Sequence, residues 1–231
     1  MKRFYDVVAV QQHNNGWQVT LDGRSLKTVR GAPQIAPTHA LAHALASEWD
    51  IEGEELDPRR FPMRDMADYA LDMVPGTRAD IADKLTAFAD TDTLLYRADP
   101  DEPLYARQQA LWEPIVSAFE QREGVTLKRV SGVMHASQNP AALEVLRARV
   151  IGFDPFTLAA LEAMTNLASS LTIGLSALEP DAQTLELWRA ASLEEEWQAD
   201  EWGRDEEAEE RRAKRTDDFL RACEFAKLAR V

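Results

Sequence analysis

Cysteine is almost missing from this chain. Its 231 residues hold one, Cys223, which excludes an internal disulfide and any metal site built from several thiolates. Phe219 and Ala226 lie near it at helical spacing, so it reads as a small buried hydrophobe rather than a nucleophile. No stretch approaches the roughly 18 consecutive apolar residues of a membrane-spanning helix. No apolar signal segment follows Lys2-Arg3 and no Arg/Ser-rich transit peptide is visible, so a cytoplasmic location is expected. Positive charge is scarce too. Lys plus Arg number 26 against 40 Asp plus Glu, a net charge of −14 that would repel DNA, RNA and anionic membrane surfaces. The chain has no G-x-S-x-G, no G-x-x-x-x-G-K-[ST] and no G-x-G-x-x-G, hence no nucleophile elbow, P-loop or dinucleotide fingerprint. These absences shift weight from enzyme to binding protein.

What is present is ordinary globular composition, 45% hydrophobic and 29% charged. Tyr5 to Val10 is rich in β-formers. Trp17, Val19 and Leu21 alternate with Gln18 and Thr20, the period of a half-buried strand. Asn15-Gly16 and Asp22-Gly23 are hairpin signals, because both residues of such pairs tolerate positive φ. A third strand is expected over Ser25 to Thr28 and a fourth over Gln34 to Ala36. Helices follow: one capped by Thr38 and ending near Asp50, and one marked by Met66, Tyr69, Ala70 and Met73 after a loop punctuated by Pro58 and Pro62. Another opens at a Thr77/Asp80 capping box. Thr93 to Tyr96 fits either strand or helix. From Pro103, Leu104, Gln108, Leu111, Ile115 and Phe119 form a core stripe that Gly124 terminates. Val125, Leu127 and Arg129 alternate as a short strand, and Asn139-Pro140 and Asp154-Pro155 are helix starts. The second start opens one long buried helix, Phe156 to Leu178, in which Asn166, Ser169, Ser170 and Gly174 read as close packing. A helix from Ala182 to Ala191 and a last one from Asp205 to about Ala229 complete an α+β chain. It has a small antiparallel β-rich N-terminal domain (1–100) and a larger, mainly helical C-terminal domain (101–231).

Candidates for chemistry are weak. His39 and His43 share a helix face at i, i+4, but zinc needs further ligands, and none stands nearby in sequence. Asp90 and Asp92 flank Thr91. Paired carboxylates can do acid/base work, though alternating ones more often close a helix C-terminus. No cofactor or metal is expected.

The strongest feature is LEEEWQADEWGRDEE, Leu193 to Glu207. Two tryptophans, Trp197 and Trp202, sit among carboxylates ahead of a helix-stopping Gly203. From Leu193 to Asp218 twelve acidic residues stand against five basic ones, half of the net charge. Leu193, Trp197 and Ala208 fit an apolar stripe, with Glu194, Glu195, Glu201, Glu206 and Glu207 left in water or facing a partner. The alternative is a solvated acidic helix whose tryptophans plug the core. Exposed, Trp197 and Trp202 would be apolar anchors with a charged rim, suited to a basic or polar protein surface.

Eight runs carry a family resemblance. They are LDGRSLKTVRGAP (Leu21 to Pro33), ALAHALASEWD (Ala40 to Asp50), TDTLLYRA (Thr91 to Ala98), RQQALWEPI (Arg107 to Ile115), GVMHASQ (Gly132 to Gln138), FDPFTLAALE (Phe153 to Glu162), SSLTIGLSAL (Ser169 to Leu178) and LEEEWQADEWGRDEEAE (Leu193 to Glu209). In this order they resemble the assembly chaperones of the F1 part of ATP synthase that handle its alpha subunit. The resemblance implies a β-rich part followed by a helical part, and a non-enzymatic role. It implies that the unassembled alpha subunit is held until the beta subunit replaces the chaperone. The free chain is itself expected to be a monomer. The resemblance also implies a sensitive glutamate just past the Trp-Gly pair, which falls on Glu206, with Glu207 and Glu201 as neighbours. Other readings are an acidic adaptor for a different client, or a carboxylate-based hydrolase.

Overall fold

The computed structural model describes residues 2–50, 53, 55–57, 60–132 and 134–230. In chain order the elements are β1 (Val8–His13), β2 (Gly16–Leu21), β3 (Arg24–Ser25), β4 (Ile35–Ala36), α1 (His39–Trp49), α2 (Pro62–Asp72), α3 (Val74–Asp90) and β5 (Tyr96–Arg97). There follow α4 (Pro103–Glu123), β6 (Val130–Ser131), α5 (Pro140–Ile151), α6 (Pro155–Ala168), α7 (Leu171–Ala177), α8 (Thr184–Ala191), α9 (Leu193–Trp202) and α10 (Glu206–Leu228). The α+β class holds. Two compact units do not divide at Pro100 to Pro103. One comprises Met1–Arg78, Asp154–Ala160 and Glu224–Val231, the other Ala79–Phe153 and Leu161–Cys223, so the divisions fall within α3, α6 and α10 and in the turn between α5 and α6.

In the first unit β2 is the central strand. It pairs antiparallel with β1 on one side and with β3 and β4 on the other. Gln18 and Thr20 are therefore buried along with Val19 and Leu21, and the expected half-buried alternation is absent. The Gln18 amide donates to the Leu26 carbonyl at 3.1 Å, and the Thr20 hydroxyl to the Ala9 carbonyl at 3.4 Å, which makes their burial tolerable. The two hairpin signals do different things. Asp22 and Gly23 both take positive φ, 48° and 77°. At the first hairpin His13 pairs with Gly16, so the loop is Asn14-Asn15, and neither residue has positive φ. Gly16 is needed for space instead: a Cβ there would lie 2.3 Å from the Ala36 carbonyl oxygen. β1 begins at Val8 rather than Tyr5, whose hydroxyl instead donates to the Trp49 carbonyl at 2.5 Å. The third strand is only Arg24–Ser25, because Thr28 leaves it to close a turn with Ala32.

Thr38 caps α1 as expected, its hydroxyl accepting from the Leu41 N–H at 3.0 Å. Pro62 is the first residue of α2 rather than a loop residue, and Pro58 lies outside the described residues. The Thr77/Asp80 capping box is absent. α3 starts three residues earlier, and the Thr77 hydroxyl donates back to the Met73 carbonyl at 3.0 Å.

The second unit is mostly helical. Thr93 to Tyr96 resolves into a turn that enters β5, which pairs parallel with β6 across the α4 crossover. The strand expected over Val125 to Arg129 forms only at Val130–Ser131, and Arg129 instead reaches Glu113 at 2.7 Å. The single long helix from Phe156 to Leu178 does not exist. Ser169, at φ 49°, breaks it into α6 and α7. The cause is Asp92, which is fully buried. Its carboxylate accepts the Ser170 hydroxyl at 2.6 Å, the Thr172 N–H at 2.9 Å and the Leu94 N–H at 3.1 Å. Burial pushes its pKa up, and these hydrogen bonds oppose the shift. Gly174 is a close-packing residue, since a Cβ would lie 2.4 Å from Thr165 Oγ1, but Asn166 and Ser169 face outward. Cys223 is buried, its sulfur 3.3 Å from that of Met164.

Asp92→Asn keeps the size but sets an amide N–H₂ against buried donors. It should cost about 1–3 kcal/mol, a melting-temperature fall of about 3–10 °C. An unchanged thermal melt would show that the carboxylate does not hold the α6–α7 break.

Candidate client-binding surface

α9 and α10 meet at a corner in the second unit. Gly203 ends α9 at φ 97°, ψ 157°, a conformation almost confined to glycine. Asp205 then caps α10, its carboxylate accepting from the Ala208 N–H at 3.0 Å. Leu193 and Ala199 are the buried residues of α9. Ala208 lies on the next helix, so the stripe expected through Leu193, Trp197 and Ala208 is not continuous.

Most carboxylates of the stretch are engaged within the protein. Glu194 is half-buried rather than solvated. It accepts the amide of the fully buried Gln108 at 2.7 Å, and burial pushes its pKa up against that hydrogen bond. Glu195 pairs with Arg215 at 2.7 Å. Arg204 ties the corner, reaching Glu196 at 2.9 Å and Asp200 at 2.8 Å on α9 and Glu209 at 3.1 Å on α10. The Asp200 and Glu196 carboxylates raise its pKa still further. Glu207 pairs with Arg211 at 2.6 Å, one turn along α10.

Trp202 is the exception on the apolar side, 82% exposed. Trp197 is half-buried, with the Arg107 guanidinium 5.3 Å from its ring centroid. Glu201 and Glu206 are exposed, and neither forms an ion pair among the described residues. Beside Trp202 an open cleft of ≈ 390 Å³ runs over Ala199 and Ala208 to Arg211 and Arg215. At this corner Glu201, Trp202, Glu206 and Glu207 are each exposed, while Trp197 is half-buried.

Sequence reading missed a second surface. On α4 the buried stripe is Gln108, Trp112, Val116 and Phe119. Leu111, Pro114 and Ala118 are exposed, and Ile115 is partly so. Leu111 and Ile115 thus belong to an outward face, not to the core stripe in which periodicity placed them. A helix-internal proline beside them was the available signal. With Leu187 and Ala190 of α8 this face forms a groove of ≈ 690 Å³.

The candidate catalytic residues do not converge. Asp92 is spent on the α6–α7 break, while Asp90 ends α3 and accepts the Gln138 N–H at 2.7 Å. His39 packs edge-on against Trp17 and His43, at ring-centroid distances of 4.5 and 5.2 Å. What the second unit offers is open apolar and acidic surface, the equipment of a protein that binds other proteins.

Comparison with known proteins gives that class a family. The family model of the ATP12 chaperone protein matches residues 2–120. The crystal structure of Atp12 from Paracoccus denitrificans matches with a TM-score of 0.93 at 35% identity, over 99% of this chain and 98% of that one. A protein of Agrobacterium tumefaciens gives 0.92 and 35%, over 98% and 85%. The mitochondrial protein atp12 of Schizosaccharomyces pombe is 26% identical over 221 residues, 90% of this chain and 76% of that protein. The chain belongs to the ATP12 chaperone family, the F1-ATPase assembly chaperones that its eight sequence runs resemble.

Trp202→Ala should change stability by less than ~0.5 kcal/mol, because the ring touches little. Gly203→Ala should cost ~1–3 kcal/mol through backbone strain alone, since the space around it is open. Paired thermal melts check this, and a larger loss for Trp202→Ala would place that ring in the core.

Proposed function

We propose that the chain holds the unassembled alpha subunit of F1-ATPase and keeps its interface from aggregating. The beta subunit then takes the chaperone's place. The observation that carries this reading is the bare Trp202 at the α9–α10 corner, beside the unpaired Glu201 and Glu206. An isolated subunit of a larger assembly exposes the apolar surface its neighbours would cover, and such surface aggregates. A holder must cover it without altering it and let go by competition. An exposed aromatic supplies contact area, and rim carboxylates speed encounter with a basic surface more than they add affinity. Glu207 and the half-buried Trp197 extend the contact on either side.

The role is non-enzymatic and needs no cofactor or metal. The chain acts in the cytoplasm as a monomer until it meets its client. Among the described residues no helix is long and apolar enough to cross a membrane.

Glu206→Lys tests the site. At the first turn of α10 a carboxylate is favoured by the helix dipole by ~0.3–1 kcal/mol, so reversing it costs about 1 kcal/mol of stability. If the carboxylate meets a cation on the client, its loss on docking is worth ~2–5 kcal/mol, or about 30-fold or more in affinity. The expected result is a near-normal melt with lost suppression of light scattering by refolding alpha subunit. Unchanged suppression places the working surface elsewhere. Failure of the unmodified protein to suppress scattering at stoichiometric amounts sinks the client assignment itself.

A further inference from the structure

We infer that the groove between α4 and α8 is a second docking site, which takes an amphipathic helix with a basic flank from the client. The inference rests on the reading that this chain holds an unassembled subunit. Leu111, Pro114, Ile115 and Ala118 recur at i, i+3, i+4 and i+7 on the outward face of α4. That spacing presents a ridge which the apolar stripe of another helix can straddle. Leu111 alone is 47% exposed, on a helix whose opposite face is already buried. Leaving such a ridge in water is unfavourable unless a partner covers it.

The groove is built rather than incidental. The buried indole N–H of Trp112 donates to the Ala190 carbonyl at 2.7 Å and so pins α8 to α4. Leu187 and Ala190 then form the facing wall. Pro114 has no N–H to give to the Ala110 carbonyl four residues earlier, and both residues line the groove. A donor on the docked helix, such as a lysine or arginine head, would find an acceptor there.

Charge selects the occupant. Glu179, Asp181 and Glu186 stand at one end of the groove. Among the described residues the one cation lining it, Arg122, is already taken by Glu123 at 2.9 Å and Glu179 at 3.4 Å. Asp181 forms no ion pair among the described residues. Glu186 pairs with Arg189 at 2.7 Å, so a docked helix with a basic residue at that end gains chiefly from Asp181. A second copy of this chain, at net charge −14, is repelled.

The test uses a fluorescent amphipathic helix of leucine and lysine as probe, with its leucine/glutamate counterpart as control, read by anisotropy on the full chain. The lysine helix should bind and the glutamate helix should not. Leu111→Glu should weaken binding roughly ten- to a hundredfold, the loss of one buried leucine, with an unchanged melt. Ala118→Glu, at an already exposed position, provides the same test if Leu111→Glu fails to fold. Asp181→Lys should weaken binding at low salt, with the difference fading at high salt. Equal binding of the two probes, or full binding by both groove variants, overturns the inference. So does a wild-type dimer that Leu111→Glu dissociates, which would assign the groove to a second copy. Client holding is read separately from alpha-subunit scattering. If the unmodified chain fails there while the probe results stand, the client is wrong and the groove assignment survives. If Leu111→Glu loses the probe yet suppresses scattering fully, the groove does not serve the client and the inference falls.

Discussion

The helical unit depends on a carboxylate that has no water. Asp92 lies in the turn between α3 and β5, and its two oxygens gather a hydroxyl and two backbone N–H groups from the start of α7 and from its own turn. Each donor would be orphaned without it, and orphaned buried donors are costly. With it in place the chain can turn sharply at Ser169, and Gly174 lets α7 fold back against Thr165 of α6. α7 packs on α4 and α8, and α8 is pinned to α4 through Trp112. The outward ridge of α4 and the start of α9 therefore inherit their places from one buried carboxyl group.

The corner beyond α9 is organised by the opposite device, a network in full solvent. Arg204 bridges carboxylates on both helices, and Arg211 and Arg215 neutralise two more. Exposed pairs of this kind add little stability singly, but several sharing one geometry restrict the angle between two helices. The network leaves Glu201 and Glu206 unspent. An acidic stretch that looks uniform in sequence is thus divided into carboxylates held in ion pairs and, at Glu201 and Glu206, carboxylates with no ion pair among the described residues.

Local signals were legible where local physics decides. Thr38, Asn139 and Gly124 end or begin helices as their side chains and backbone freedom require, and Asp22-Gly23 makes the positive-φ turn. Long-range contacts were not legible. Nothing near Ser169 announces a helix break, because its cause is Asp92, 78 residues in sequence from the Ser170 hydroxyl it holds. Periodicity also cannot tell a helix face turned to the core from one turned to solvent, so Leu111 and Ile115 were placed inside. The exposed edge was only half legible. The Trp-Gly break and Glu206 stand where sequence put them, but it could not say that Trp202 is bare while Trp197 lies under Arg107.

The central claim is that the α9–α10 edge carries the client. Hydrogen exchange of the chain, free and bound to unassembled alpha subunit, tests it most directly. Backbone amides over residues 197–211 should exchange more slowly in the complex, because that edge is open in the free chain. The exposed β1–β2 hairpin tip around His13 and Asn14 should be unchanged. Slowing at other surfaces with residues 197–211 exchanging as in the free chain would contradict the account.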